Sequence, residues 1–205
     1  MYSKRSGLIL GFHGCDKSVR DKIVSVKGEI VKPSDNDYDW LGGGAYFWEN
    51  NYERAVDYVN KLHKNPPDGK TSKIKEPAVL GAVIDLGFCL DLLDSEFLKI
   101  LQTSYNTLCE SLLRENKPIP KNKHPKDCKD LLIRKLDCAV IELIHALNNG
   151  KEYDSVRGVF FEGEDLYENA GFKERNHIQI AIRNPNCIKG YFIPREADKQ
   201  FPLIR

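Results

Sequence analysis

A glycine-rich run constrains the fold of this chain more than any other feature of its sequence. Three consecutive glycines at 42–44 are followed directly by Ala45, Tyr46 and Phe47, and the segment from Asn51 to His63 then has a helix-compatible composition. Glycine lacks a Cβ, so its backbone can adopt a positive φ and approach a ligand closely. We expect a flexible loop that delivers a tyrosine into a cleft, although a tight turn between two core elements is compatible with the same residues.

A second motif lies upstream, where the apolar residues 8–12 lead into His13-Gly14-Cys15. The His-Gly pair and the later Gly-x-Gly-x-Tyr-Phe loop together resemble the nicotinamide-binding half of ADP-ribosyltransferases of the diphtheria-toxin and poly(ADP-ribose) polymerase type. That family has an apolar strand ending in His-Gly, then a Phe-Gly-Lys-Gly-Ile-Tyr-Phe loop, and then a helix. The resemblance covers about the first sixty residues and extends to one C-terminal strand.

The resemblance implies NAD⁺ as co-substrate, with no metal, and assigns roles to individual residues. His13 would hydrogen-bond the adenosine ribose, and Gly14 would offer its backbone N–H and C=O to the nicotinamide carboxamide. Tyr46 would stack on the nicotinamide ring, because the face of an aromatic ring attracts a cationic pyridinium. Cys15 and Gly44, which adjoin these residues in the two motifs, are assigned to the same cofactor-binding set.

The helix after the glycine loop departs from the family pattern. The polymerases carry a serine there that binds the carboxamide and, three residues later, a second stacking tyrosine; here those positions hold Arg54 and Asp57. Tyr58 follows directly, and on a regular helix it is rotated by about 100° from position 57. We assign Tyr58 to the cofactor site on the condition that the helix begins differently, with Tyr38 or Trp40 as the alternative second aromatic.

The late strand of the family carries a glutamate that stabilises the cation-like sugar formed as nicotinamide departs. The matching strand here has His177 and Gln179 on its polar face and no carboxylate there. Gln179 is assigned the catalytic position and His177 a supporting place in the cofactor site. Because an amide supplies no negative charge, we expect single transfers rather than rapid chain building. Glu162 is the competing carboxylate, and the ordinary interpretation of both Glu162 and Glu164 is a solvated loop.

The length and the apolar periodicity fit one folded domain. A chain of 205 residues with 41% hydrophobic content can bury a core, so we assign residues 1–205 to a single ADP-ribosyltransferase-like domain. Strands and helices mix without regular βαβ alternation, which predicts an α+β fold with a mainly antiparallel split β-sheet and an inserted helical pair. The predicted strands are 7–14, 78–86, 156–161, 177–183 and 189–194. The predicted helices are 18–27, 51–63 and the pair within about 94–150, which begins with Asp94 as N-cap.

Charge and cysteine usage bear on compartment and partners. Thirty-one basic and thirty acidic residues give a formal charge of +1, so no global field demands a nucleic acid or a membrane as partner. No apolar run reaches membrane-spanning length and no signal-peptide core is present, so we expect a cytoplasmic protein. The six cysteines have no metal-ligand spacing and are interpreted as reduced thiols.

The acceptor is the part of the function that the sequence constrains least. Residues 114–135 contain eight basic and three acidic side chains, which favours phosphate contacts with RNA or DNA, although a lysine-rich loop is also ordinary solvated surface. Small transferases of this type occur in bacteria as intracellular toxins, often beside an antitoxin protein, and the resemblance suggests that role. The leading hypothesis is therefore a mono-ADP-ribosyltransferase that modifies a nucleic acid or a protein. An NAD-dependent RNA 2′-phosphotransferase and a non-catalytic module that binds NAD⁺, ADP-ribose or a protein partner are the alternatives.

Overall fold

The computed structural model describes residues 7–66, 71–126, 128–148 and 151–201; the other positions of the expected single domain lie outside the described residues. Within these ranges the strands are β1 Ile9–Asp16, β2 Ala45–Glu49, β3 Pro77–Ile84, β4 Cys89–Asp91, β5 Ser155–Phe160, β6 His177–Ile182 and β7 Ile188–Phe192. They form one sheet in the order β4-β5-β6-β2-β1-β3-β7. Only the short β4 runs parallel to its neighbour. The α+β class with a mainly antiparallel sheet is therefore confirmed.

The same ranges contain the α-helices α1 Lys17–Ser25, α2 Tyr52–Lys64, α3 Ser95–Arg114 and α4 Lys135–Leu147. The first three begin at a side chain that accepts a hydrogen bond from a free backbone N–H of the first turn, namely Asp16, Asn51 and Asp94. The Asp94 cap expected from the sequence is confirmed. Helices α3 and α4 pack against each other and form the helical pair expected within 94–150; positions 127, 149 and 150 of that segment lie outside the described residues. No described helix is both long and apolar enough to cross a bilayer.

Strands β1 and β2 pair over a short distance and then separate. Their register includes only Gly11 opposite Glu49 and Phe12 opposite Trp48, whereas β1 pairs with β3 along its whole length. The sheet therefore opens beyond Phe12, on the side of β1 that faces β2. His13, the next residue, lies beside this opening.

Helix α2 packs closely over β1 because residue 14 is a glycine. A Cβ at Gly14 would lie 2.8 Å from the backbone oxygen of Ala55 and 3.0 Å from the Cβ of Val59. Both of these helix residues are fully buried. Gly14 is thus required by the approach of the helix to the strand.

Two strands of the sheet were not predicted from the sequence. Residues 45–49 were expected as the end of a loop, yet β2 is a central strand between β1 and β6. Its five residues follow directly on the glycines, and so short a run has no alternation long enough to identify it. The three-residue β4 was not expected at all. In addition, β3 ends at Ile84 instead of 86, because Gly87 has a φ of +60° and its backbone N–H turns back to the carboxylate of Asp85.

Candidate functional site

A cleft of about 900 Å³ opens beside α2. Strands β1, β2 and β6 contribute His13, Tyr46, Trp48 and Gln179. Helix α2 contributes a stripe of residues at helical spacing: Arg54, Asp57, Tyr58, Lys61, Leu62 and, just past its end, Asn65. The extended segment before the glycine loop, which includes a turn at residues 37–38, contributes Lys32, Ser34, Asn36, Tyr38, Asp39 and Trp40. The remaining residues of the lining are Gly44, Leu132, Glu162 and Arg175.

Five of the residues singled out in the sequence therefore line one cleft: His13, Gly44, Tyr46, Tyr58 and Gln179. They come from three strands, a helix and a loop, and the first and last are far apart in the chain. The cleft does not include Gly14, Cys15 or His177. Gly14 faces α2 instead, and Cys15 is buried in a core cluster that includes Phe47. Burial raises the pKa of the Cys15 thiol to about 11, so it is not a thiolate at neutral pH.

The imidazole of His13 is held in one tautomer. Its Nδ1 lies 2.8 Å from the backbone carbonyl oxygen of Tyr46, and because a carbonyl oxygen can only accept, Nδ1 carries the proton. Burial lowers the pKa of His13, so the ring is neutral at physiological pH. The other nitrogen, Nε2, then bears a lone pair that can accept a hydrogen bond from a ligand hydroxyl.

The hydroxyl of Tyr46 forms hydrogen bonds with the glycine loop, and its ring lines the cleft. The hydroxyl donates to the carbonyl oxygen of Gly42 at 2.7 Å and accepts from the backbone N–H of Leu41 at 2.9 Å. Burial raises the pKa of this phenol far above its usual range, so it stays protonated. Since both bonds of the hydroxyl are made within its own loop, the ring is the part of Tyr46 that is left for a ligand.

The glycine loop is clamped by two charged side chains. The backbone N–H of Gly43 donates to Glu142 Oε1 at 2.7 Å, and Arg183 Nη1 donates to the same carboxylate oxygen at 2.7 Å and to the carbonyl oxygen of Gly43 at 3.1 Å. Gly42 has a φ of +74°, and a Cβ there would lie 2.4 Å from Glu142 Oε1. The glycine at position 42 therefore allows Glu142 of α4 to approach the loop, and Arg183, which directly follows β6, bonds both to Glu142 and to the loop.

The aromatic wall of the cleft contains a residue that the sequence did not single out. Trp48 lies on the same face of β2 as Tyr46, two residues further on, and its ring centroid is 4.9 Å from that of Tyr58. Asp57 and Tyr58 both reach the cleft because α2 presents a stripe wide enough for adjacent positions. Alternation from Tyr46 along a strand would have indicated Trp48, had β2 been recognised.

Gln179 lies next to this wall. It pairs with Trp48 on β2 and with Gly158 on β5. Residues opposite each other in adjacent strands share a face of the sheet, so the amide lies on the side of Trp48 and Tyr46.

Glu162 is buried in the cleft wall, and the expectation of a solvated loop is wrong for it. Its side chain is only 10% exposed and accepts a hydrogen bond from Arg54, which is equally buried. The guanidinium of Arg54 also lies 5.5 Å from the centroid of the Trp48 ring. Glu164, in contrast, is exposed and pairs with Lys129, as expected. The Arg54–Glu162 pair joins residues 108 positions apart, and no local pattern could have indicated it.

His177 lies behind the cleft surface. Its Nδ1 donates to the carbonyl oxygen of Arg175 at 2.8 Å and lies 3.9 Å from Glu162 Oε2. Burial lowers the pKa of His177, which keeps the ring neutral. Its Nε2 is buried and has no hydrogen-bond partner among the residues that the structure describes.

The basic segment 114–135 is largely neutralised. Five of its eight cationic side chains form ion pairs, namely Arg114, Lys117, Lys129, Arg134 and Lys135. Arg134 additionally stacks over Trp40, with 4.5 Å between its guanidinium carbon and the ring centroid. Among the described residues of this segment, which exclude position 127, only Leu132 lines the cleft. The excess of positive charge counted in the sequence is therefore smaller on the folded surface.

Comparison with known proteins adds one distant relative. An uncharacterized protein of Methanocaldococcus jannaschii is 26% identical over 200 residues, which cover 87% of this chain and 83% of the relative. No family model and no solved structure matches the chain.

Proposed function

We propose that the protein is an NAD⁺-dependent ADP-ribosyltransferase that makes single transfers onto a macromolecule. The observation that supports this most directly is the shared cleft: His13, Tyr46 and Gln179, which the family resemblance assigns to one active site, line the same cavity together with Gly44 and Tyr58. A volume of about 900 Å³ lies within the range of pockets that enclose small molecules and cofactors. The opening between β1 and β2 beside His13 is compatible with the split sheet of that family.

The chemistry requires a bent dinucleotide, a held nicotinamide and a stabilised sugar cation. The neutral His13 ring offers Nε2 to a ribose hydroxyl. The rings of Tyr46, Tyr58 and Trp48 supply aromatic surface for the pyridinium. As nicotinamide leaves, the bonding electrons go with its ring nitrogen, and the acceptor's nucleophile attacks the sugar carbon.

Two side chains compete for the role of stabilising the sugar cation. Gln179 holds the position that the resemblance assigns, but it carries no charge. Glu162 carries a charge, and only its Oε2 is engaged by Arg54. Since a preorganised electrostatic contact contributes about 10²–10³ in rate, substitution can decide between them.

A non-catalytic module that binds NAD⁺ or ADP-ribose is the second candidate. It is favoured by the absence of a carboxylate at position 179 and by the satisfied hydroxyl of Tyr46. Such a module would use the same cleft for binding and would release no nicotinamide.

Incubation with NAD⁺ labelled in its adenylate part, together with RNA, DNA and protein acceptors, tests the proposal. We expect release of free nicotinamide and transfer of the label to one acceptor class. That result would fit an intracellular toxin that modifies a nucleic acid or a protein and has an antitoxin as its partner. Saturable binding of NAD⁺ without nicotinamide release would favour the binding module. Absence of NAD⁺ binding would contradict both.

A further inference from the structure

Two lysines in the cleft wall form no ion pair with any residue that the structure describes. Lys32 comes from the extended segment before the glycine loop and Lys61 from the last turn of α2. Among the described residues neither side chain takes part in an ion pair or a hydrogen bond. Both are exposed, so their ammonium groups can reach a ligand in the cleft.

The two arginines of the lining, unlike the two lysines, are held in ion pairs. Arg54 is paired with Glu162, and Arg175 is paired with Asp130 at 3.4 Å. Asp39 caps its own turn, since its carboxylate accepts from the backbone N–H and the side-chain amide of Asn36. Because Asn36 is neutral, these bonds leave the charge of Asp39 in place. Asp39 and Asp57 are therefore the carboxylates of the lining without an arginine partner, and Lys32 and Lys61 are its lysines without an ion pair.

The two lysines are separated from the Arg54–Glu162 pair along the cleft. Lys61 is seven residues after Arg54 on the same helical stripe, which is two turns or about 10 Å along the axis. Lys32 precedes Ser34, whose backbone pairs with Gly44 through bonds of 2.8 and 3.0 Å at the start of β2. Arg54, by contrast, contacts Trp48 near the end of β2. The cleft thus has one region with a neutralised pair and another with two lysines that form no ion pair among the described residues.

The geometry points to an anion subsite formed by Lys32 and Lys61, which takes the diphosphate of the dinucleotide. The assignment rests on the proposed function, because it is the dinucleotide that connects this subsite to the aromatic wall. A lysine ammonium is a compact charge suited to phosphate oxygens. Two such groups from different elements can contact both phosphates, while the neutralised Arg54 leaves the region of the cationic pyridinium without a repelling charge.

Calorimetric titration of the full chain with ADP-ribose, and separately with inorganic pyrophosphate and with adenosine, tests the subsite. Lys32→Met and Lys61→Met should each weaken ADP-ribose binding about tenfold, and the loss should shrink as ionic strength rises from about 0.05 to 0.5 M. Adenosine, which has no phosphate, should bind all variants equally. Asp57→Asn removes one of the two carboxylates of the lining that have no arginine partner and should strengthen the binding of pyrophosphate.

Lys64→Met is the matched control, since Lys64 is in the same last turn of α2 but does not line the cleft. It loses the same favourable contact with the helix dipole and should bind ADP-ribose like the wild type. Equal losses in Lys61→Met and Lys64→Met, or ADP-ribose binding unchanged in both cleft variants, would overturn the subsite and leave the proposed function standing. Lysine-dependent binding of pyrophosphate or of a short RNA without any binding of ADP-ribose would overturn the assignment to a dinucleotide and the proposed function with it.

Discussion

The side chain of Tyr46 combines two roles that substitution can separate. Its hydroxyl closes the glycine loop through Leu41 and Gly42, while its ring faces the cleft. Hydrogen bonds of buried groups contribute modestly when made, but leaving their partners unsatisfied costs more. We therefore expect the hydroxyl to contribute to the stability of the fold and the ring to contribute to ligand binding.

Tyr46→Phe should lower the free energy of unfolding by about 1–3 kcal/mol, because the buried backbone groups of Leu41 and Gly42 lose their partner. Nicotinamide release by this variant should stay within a few-fold of the wild type, as the ring is retained, whereas Tyr46→Ala should abolish it. Urea unfolding and NAD⁺ turnover measure the two effects. A loss of turnover in Tyr46→Phe as large as in Tyr46→Ala would show that the hydroxyl itself acts on the ligand.

Single substitutions can also decide whether Gln179 or Glu162 stabilises the sugar cation. If position 179 faces the developing cation, Gln179→Glu should raise the rate of nicotinamide release by about 10²-fold, since a carboxylate stabilises positive charge that an amide cannot. Glu162→Gln should then leave the rate much less affected. It should also destabilise the fold by about 3–5 kcal/mol, because it leaves the Arg54 cation buried without a counter-charge.

Single-turnover rates and urea unfolding, measured on both variants, separate the effect of each substitution on the rate of nicotinamide release from its effect on the stability of the fold. The double variant Arg54→Met/Glu162→Gln removes both charges and is the control for the unpaired cation. No gain in Gln179→Glu, with a rate loss that persists in the folded double variant, would assign the chemistry to Glu162.

At the scale of elements, helix α4 has two features: together with the end of β6 it holds the glycine loop, and it carries a buried histidine. His145 on α4 is 4% exposed, and its ring lies edge-on to Tyr153 with 5.8 Å between the centroids. Neither ring nitrogen has a hydrogen-bond partner among the described residues. Burial, with a smaller contribution from Arg183, lowers the pKa of His145 to about 4, so the fold accommodates only the neutral ring.

Stability should therefore depend on pH through His145. Its pKa is lower in the folded than in the unfolded chain, so the unfolded chain binds more protons between the ordinary value of 6.5 and about 4. The contribution of the neutral ring is complete above pH 6.5 and is lost as the pH falls toward 4. His145→Leu should flatten the dependence of the urea midpoint on pH in this window, and a slope equal to that of the wild type would contradict the assignment.

Elements with a local signal were predictable, and those that depend on long-range pairing were not. Helix α3 was found because Asp94 caps it and its apolar residues recur at helical spacing. Strand β2 was missed because its identity depends on β1 and β6, which lie on either side of it. The same holds within the site: His13 and Tyr46 could be proposed from motifs, whereas the burial of Glu162 depends on Arg54, which only the folded chain brings to it.

At the scale of the whole molecule, the cleft joins parts of the chain from His13 to Gln179. A ligand that contacts all of them binds only the folded state and therefore stabilises it. At about one hundred times its dissociation constant, such a ligand adds about 2.7 kcal/mol to the free energy of unfolding. NAD⁺ and ADP-ribose are the ligands that the proposed function requires.

ADP-ribose should raise the thermal midpoint of the wild type in a concentration-dependent manner. His13→Ala should reduce the shift, because Nε2 no longer accepts from the ribose, and His63→Ala, an exposed histidine on α2 outside the cleft, should retain it. Differential scanning fluorimetry across an ADP-ribose titration gives the shifts. Equal shifts in both variants would remove His13 from the binding site.

The clamp on the glycine loop limits how far this protein can be shortened. Glu142, the carboxylate that Gly43 and Arg183 share, belongs to α4 and thus to the helical pair. A minimal version built by excising that pair would leave Arg183 and the Gly43 amide without their common acceptor, and the loop would lose its anchorage. Helix α4 is therefore part of the scaffold that positions the glycine loop, and any miniaturised derivative has to keep it.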